Sequence, residues 1–165
     1  MSVSIRAETE ADEAEIRALV SAAFDGHAHS EGVEPEIIER LRRERTPTLS
    51  LVAEAGDVLL GLIVFSPVSI SDGTRGWFGL GPLAVAPDRQ RGGIGSALCE
   101  AGLTRLREQG AGGCVVLGDP DYYGRFGFAH DPELVFPGVP QEYFQRLLFA
   151  GDEPRGTVSY APAFG

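Results

Sequence analysis

The sequence contains neither lysine nor asparagine, and all fourteen of its basic residues are arginine. No lysine means no Schiff base to a carbonyl cofactor and no phosphate-binding lysine of the P-loop type. The absence of asparagine removes any N-glycosylation sequon. Cysteine is scarce too: Cys99 and Cys114 stand in apolar surroundings without C-x-x-C spacing. That argues against a disulfide framework or a structural zinc site and predicts two buried thiols. Three scattered histidines give no metal-ligand spacing, so no metal is expected. The longest apolar stretch, Val58 to Phe65, is too short to cross a bilayer, and the opening Met1-Ser-Val-Ser-Ile-Arg6 lacks a charged-then-apolar leader. A cytoplasmic protein with no membrane partner is the expectation.

Positive charge is in deficit: 14 basic against 24 acidic residues leave a net charge of −10. Such a field repels phosphate polymers, which argues against a nucleic-acid partner and suits a small cationic one. The 165 residues are enough for one domain with its own core and too few for two, so residues 1–165 are read as a single domain.

Periodicity places the elements. Val3 to Arg6 reads as a strand, and Thr9 and Asp12 form a capping-box pair ahead of a helix. Ile16, Leu19, Val20, Ala23 and Phe24 make its buried stripe. Residues 25–33 lack periodicity, and Pro35 sits where a second helix, running to about Arg43, begins. Leu49–Ala55 and Val58–Val68, joined at Ala55-Gly-Asp57, form an antiparallel hairpin. Trp77–Val85 is a further strand, and Ile94, Ala97, Leu98, Ala101, Leu103 and Leu106 stripe a helix to about Gln109. Cys114–Leu117 is expected beside Trp77–Val85 through a crossover, a parallel pair within a mostly antiparallel sheet. Asp119-Pro120 opens a short helix through Tyr122 and Tyr123. Gln141–Phe149 is predicted helical, and Gly156–Tyr160 is a closing strand.

The segment that carries chemistry is Leu80-Gly-Pro-Leu-Ala-Val-Ala-Pro-Asp-Arg-Gln-Arg-Gly-Gly-Ile-Gly-Ser-Ala-Leu98, a strand, a glycine-rich loop and a helix. Such a junction binds anions, because glycines admit close backbone approach and the first helical turn presents free N–H groups at the positive dipole end. Residues 72–107 hold five arginines and three acids, a local net charge of +2 within an acidic chain. A P-loop fails for want of lysine. The dinucleotide pattern G-x-G-x-x-A does occur, as Gly79-Leu-Gly81-Pro-Leu-Ala84, but Val85-Ala-Pro87 and not a helix follows it. Gly93-Ile-Gly95 opens a helix, yet Leu98 fills the third small-residue position.

What remains is Gln90-Arg-Gly-Gly93-Ile-Gly95, a Q-x-x-G-x-G pattern behind Leu83-Ala-Val85-Ala-Pro87. Here the sequence resembles the GNAT family of N-acetyltransferases. Tyr123-Gly-Arg125-Phe-Gly127-Phe128 is similar to that family's Y-x-[KR]-x-G-F, and Ile5-Arg6, Thr9 and Asp12 resemble its usual start. The stretch Gly118–Phe128 and the ending Tyr160-Ala-Pro-Ala-Phe164 look like a subgroup of bacterial predicted acetyltransferases. The resemblance implies an α/β (α+β) fold with a mixed, mostly antiparallel sheet, helices on both faces and a splay between central strands. It implies acetyl-CoA as co-substrate, with Gln90, Arg91, Gly92, Gly93, Ile94, Gly95 and Ser96 about its pyrophosphate. Leu83, Ala84 and Val85 would lie along its pantetheine arm. One departure stands out: many members place an asparagine after the fifth strand, where this chain has Asp119, which accepts hydrogen bonds and cannot donate.

Acetyl transfer to an amine needs a polarised carbonyl, a proton for the leaving thiolate and a neutral amine. A bulge near Leu83–Val85 would free an N–H, that of Val85, for the developing oxyanion. Tyr123 is the candidate acid and Glu34 the candidate base, ahead of Glu31, Glu36, His27 and His29. His130 reads as a surface or strand-end residue. Trp77, Phe78, Phe126 and Phe128 serve as core or as the wall of an acceptor pocket. Neither cysteine has a base beside it, so direct attack is expected without an acyl-enzyme. The acceptor is read as the primary amine of a small molecule or basic peptide, and a homodimer is compatible with the resemblance. Two other readings stay open: a non-catalytic acyl-CoA-binding module, and a dinucleotide-dependent oxidoreductase.

Overall fold

The computed structural model describes residues 2–24 and 34–164. In chain order these form β1 (Ser4–Ala7), α1 (Glu13–Phe24), α2 (Glu34–Arg43), β2 (Leu49–Ala55), β3 (Val58–Pro67), β4 (Ser69–Ile70) and β5 (Trp77–Val85). There follow α3 (Ile94–Glu108), β6 (Gly113–Leu117), α4 (Pro120–Tyr123), β7 (Ala129–His130), β8 (Leu134–Val135), β9 (Phe144–Leu148) and β10 (Gly156–Ser159). Internal contacts gather into two compact units, residues 1–65 with 82–102 and residues 66–81 with 103–165. The chain passes from one to the other within β3, β5 and α3.

In the first unit the strand order is β1-β2-β3 and then the C-terminal half of β5. The hairpin of β2 and β3 forms as the sequence predicts, turning at Gly56, whose φ of 61° is the left-handed conformation glycine adopts without steric cost. Leu59 to Ser66 are buried at every position, which is the signature of a strand covered on both faces. Gly61 lets α3 close on β3: a Cβ there would meet Leu98 Cδ1 at 2.9 Å and Ile94 Cγ2 at 3.0 Å. On α1, Ile16, Leu19, Val20 and Ala23 are buried as the stripe predicts, and Phe24 is half-buried.

The start of α1 is anchored electrostatically. Thr9 N–H donates to Asp12 Oδ2 at 2.7 Å, completing the capping pair. Arg6 of β1 donates to both Asp12 oxygens and, through Nε at 2.9 Å, to Glu54 of β2. Arg42 of α2 pairs with Glu8, and Arg40 with Glu44, so these arginines balance nearby acids.

In the second unit, β5 runs parallel to β6 as the crossover predicts, with Trp77 opposite Gly113 and Leu80 opposite Val116. Antiparallel β9 lies on the other side of β6, and β7 lies beyond β9. A second sheet, β4-β10-β8, covers a core of Val68, Ile70, Trp77, Val115, Leu134, Phe144 and Val158. Both cysteines are buried thiols.

The helix expected over Gln141–Phe149 is not there. Gln141–Tyr143 make a single 3-10 turn, and Phe144–Leu148 are β9. The spacing of Phe144, Leu147 and Leu148 fits a helix, but the run is short and hemmed by Pro140 and Gly151, where an isolated helix is marginal. The edge of β6 offers a five-residue ladder, from Gly113↔Leu148 to Leu117↔Phe144, and tertiary pairing decides. Strands β4, β7 and β8, two residues each, are too short to carry a period of their own.

Candidate active site

The site grows out of β5. Its register with β6 stops at Leu80↔Val116, while Gly81–Val85 continue. Gly81 holds φ 145° with no heavy atom within 4 Å of where a side chain would stand, and Pro82 has no N–H to give. Ala86 N–H donates to Leu60 O of β3 at 2.8 Å. Because successive residues of a strand turn their polar groups to opposite edges, Ala84 also addresses β3, and the N–H and C=O of Leu83 and Val85 point the other way. One of those groups is taken: Gln90 Nε2 donates to Val85 O at 3.1 Å. Gln90 thus folds its amide back on β5 and braces the loop.

After β5 the chain makes a 3-10 turn over Pro87–Arg89 and then adopts two left-handed residues, Arg91 at φ 69° and Gly93 at φ 88°. Arg91 and Arg45 are the non-glycine residues with positive φ among those described. An arginine in that conformation is strained, and such residues persist where the local backbone shape matters. Gln90 to Gly93 are exposed, and no atom crowds Gly93. Ile94 is buried and fixes the start of α3; Ala97 N–H closes the first bond, to Gly93 O at 3.0 Å. The backbone N–H groups of Ile94, Gly95 and Ser96 precede that bond, at the positive end of a 15-residue helix with no acid in its first turn. A left-handed bend running into a helix N-terminus is a concave array of N–H groups, which fits a pyrophosphate.

Tyr123 belongs to the second unit and sits at the end of α4. Asp119 caps that helix, its carboxylate accepting from Asp121 N–H at 2.9 Å and its carbonyl from Tyr123 N–H at 3.0 Å. Asp119, which replaces the asparagine of the resembled pattern, therefore has a local capping role. The Tyr123 ring lies on Gly118, where a Cβ would come within 2.5 Å of Cε2, and meets Tyr122, Phe126 and Phe128 edge-on or tilted. Gly127, at φ 100°, turns the chain so that Phe128 can bury. Arg125 stacks on the Tyr122 ring at 4.5 Å.

Glu34 opens α2, half-buried, in the first unit. Glu36 beside it is exposed and pairs with Arg17 at 3.4 Å. His27, His29 and Glu31 lie outside the described residues. His130 is exposed at the end of β7, as expected. Trp77 and Phe128 are core, and Phe78 and Phe126 are half-buried. Among the described residues no group of three potential ligands could hold a metal, and no helix is long and apolar enough to cross a membrane. Sequence reasoning missed the roles of Gly79 and Gly118, each carrying a tyrosine ring, and of Tyr160, which packs on Gly79. A glycine inside or just beyond a strand signals a close approach of that kind.

The model of the Acetyltransferase (GNAT) family matches residues 13–128, a span that includes the loop and Tyr123. The chain belongs to the GNAT family. A GNAT family acetyltransferase from Brucella melitensis, solved in complex with acetyl-CoA, is 47% identical with a TM-score of 0.88, covering 99% of each chain. The uncharacterized N-acetyltransferase YhbS of Escherichia coli (strain K12) is 35% identical over 160 residues, 93% of this chain and 92% of that protein. The crystal structure of YhbS from Escherichia coli in complex with CoA superposes with a TM-score of 0.89 at 32% identity, covering 98% of this chain and 91% of that one. The α+β fold with a mixed sheet is thus the GNAT fold, and the chain is an N-acetyltransferase of that family.

Proposed function

We propose that the protein moves an acetyl group from acetyl-CoA to the primary amine of a small molecule or a basic peptide by direct attack. The observation that carries this reading is the exposed left-handed bend at Arg91–Gly93, running into the N-terminus of α3 after the half of β5 that lies beyond its register with β6. We read residues 1–165 as one cytoplasmic domain working as a monomer or homodimer.

The backbone N–H groups about Arg91, Gly92, Gly93, Ile94, Gly95 and Ser96 hold the pyrophosphate, with Gln90 bracing the loop through Val85 O. Leu83, Ala84 and Val85 lie along the pantetheine arm, and the outward edge of Leu83 and Val85 supplies its hydrogen bonds. Acetyl-CoA, when bound, brings an activated thioester. The Val85 N–H polarises its carbonyl, a contribution of about 3 kcal/mol in sites of this kind. Tyr123 protonates the leaving thiolate, worth about 10²-fold or more. Glu34 at the head of α2 accepts the proton of the amine. The net charge of −10 draws a cationic acceptor toward the protein.

The test is an amine panel with acetyl-CoA, following CoA release and the mass of the product. Acetylated amine with stoichiometric CoA supports the reading. Tight acetyl-CoA binding without turnover on any amine favours a binding module instead, and thermal protection by NAD but not by CoA favours an oxidoreductase.

A further inference from the structure

Among the described residues, two buried side-chain oxygens of the second unit have no hydrogen-bond partner on the protein, Ser66 Oγ and the hydroxyl of Tyr160. Tyr160 follows β10, and its ring approaches the middle of β5 at Gly79. A Cβ on Gly79 would come within 2.6 Å of Tyr160 Cε2 and 3.2 Å of Cδ2. The nearer carbon adjoins the one bearing the hydroxyl, so the polar end of the ring reaches over the strand. Phe136 and Phe164 flank it, with ring centroids at 5.0 and 5.5 Å. Two residues along β5, the side-chain position of Gly81 is open, with no heavy atom within 4 Å. Gly79 and Gly81 thus give a strand without side chains, one position covered by a phenol and the next left empty.

A buried hydroxyl left unpaired costs free energy comparable to that of a lost hydrogen bond, so such groups are rare unless something other than the protein completes them. Burial holds the Tyr160 phenol well above its ordinary pKa, and the charges that Cys114 and Tyr123 would carry push it the same way. Burial therefore favours the protonated hydroxyl, the form that donates a hydrogen bond.

We propose that Tyr160 is a substrate-contacting residue, its hydroxyl donating a hydrogen bond to an oxygen of the acceptor molecule at the open position beside Gly79 and Gly81. This rests on the acetyl-transfer reading above. In that reading the thioester carbonyl has the Val85 N–H and the thiolate has Tyr123, so the oxygen left to satisfy Tyr160 is the acceptor's. The rings that flank Tyr160, Phe136 and Phe164, are uncharged, which suits a neutral oxygen. The acceptor class is therefore an amine with a carbonyl or hydroxyl oxygen close to it, an amino-acid amide or an amino alcohol, in preference to a plain alkyl polyamine.

The experiment compares the full-length protein with Tyr160→Phe, using glycinamide, phenylalaninamide, ethanolamine and spermidine as probes. Thermal shifts are read with CoA present, and turnover with acetyl-CoA. The variant alone should melt no lower than the parent, because it loses only an unpaired hydroxyl. Oxygen-bearing amines should raise the melting temperature of the parent more than that of the variant. Their kcat/KM should fall about tenfold or more in the variant, mainly through KM, with spermidine and acetyl-CoA binding unaffected. The amide and amino-alcohol arms say which oxygen is read. The proposal is overturned if the variant alone melts lower, if no oxygen-bearing amine shifts the parent, or if spermidine suffers equally. If the shifts behave as described while neither protein turns over, the transfer reading fails and the Tyr160 contact stands.

Discussion

Arg6 and Asp12 are joined by two parallel hydrogen bonds, Nη1 to Oδ2 at 2.8 Å and Nη2 to Oδ1 at 2.9 Å, which tie β1 to the first turn of the α1 segment. The same guanidinium reaches Glu54 on β2, so one side chain links three successive pieces of the first unit. The Arg6 hydrogen bonds, and after them the Thr9 N–H, hold the Asp12 carboxyl far below the usual carboxylate range.

A carboxyl with a depressed folded pKa stabilises the fold at all pH values above its unfolded pKa, near 4, and loses that contribution as pH falls through the folded value. Asp12→Asn keeps the shape and removes the charge. Its melting temperature should fall by about 2–5 °C at pH 7, and the gap to the parent should narrow below about pH 4. Thermal melts at pH 7, 5 and 3 check this. A gap that is constant across the series would mean that Asp12 acts through shape alone.

This capping pair was legible because its chemistry is local: Thr9 and Asp12 are three residues apart. The loop from Gln90 to Ser96 was legible for the same reason, its glycines and the buried Ile94 marking a bend and a helix start. What could not be read is pairing at a distance. Nothing within Gln141–Phe149 announces that β6 has an edge to fill, so a helix-like spacing gave way to a strand. The link from Arg6 to Glu54 spans 48 residues. Tyr160 was visible only as part of an ending, because Gly79, the residue that gives it a seat, lies 81 positions earlier in the chain.

The left-handed Arg91 separates shape from charge in the phosphate loop. Arg91→Gly relieves a conformation that costs a non-glycine residue about 1–2 kcal/mol, offset by the greater freedom of the unfolded glycine chain, about 0.5–1 kcal/mol. Stability should stay within about 1 kcal/mol of the parent by the difference of these terms. Acetyl-CoA affinity should fall severalfold, and its dependence on salt should weaken, because a cation of the proposed pyrophosphate loop is gone. Calorimetric titrations at low and high salt measure both. An unchanged salt dependence would place the arginine charge away from the phosphates.

Gly113 is enclosed where β6 passes Trp77. A Cβ there would overlap the Trp77 ring and stand 2.6 Å from Leu147 O of β9, so relief requires the backbone of β9 to move. Overpacking of this kind costs about 1–3 kcal/mol, and the rigid partner argues for the upper end. Gly113→Ala should lower the unfolding free energy measured by urea melts by that amount and reduce the yield of folded protein. Gly138→Ala is the control for handling: its glycine has open space around it at φ 90°, so its loss reflects backbone conformation alone and should be about 1 kcal/mol. Equal losses for the two would mean that the second unit accommodates the methyl group at β6.

The Tyr123 ring, which carries the proposed acid, is held by packing. The ring rests on Gly118 and against the edges of Tyr122 and Phe128, and the helix beneath it is capped by Asp119. Tyr123→Phe therefore keeps these ring contacts and removes the hydroxyl proposed as the proton donor. A thiolate that leaves without its proton slows the transfer step by about 10²-fold or more, so kcat should fall by that factor while the acetyl-CoA dissociation constant stays within about twofold of the parent. The loss should shrink with an acyl donor whose thiol is more acidic, since a better leaving group needs the proton less. Stopped-flow CoA release with acetyl-CoA and with an aryl thioester measures the contrast. Equal losses on both donors would show that the hydroxyl orients the substrate and does not protonate the sulfur.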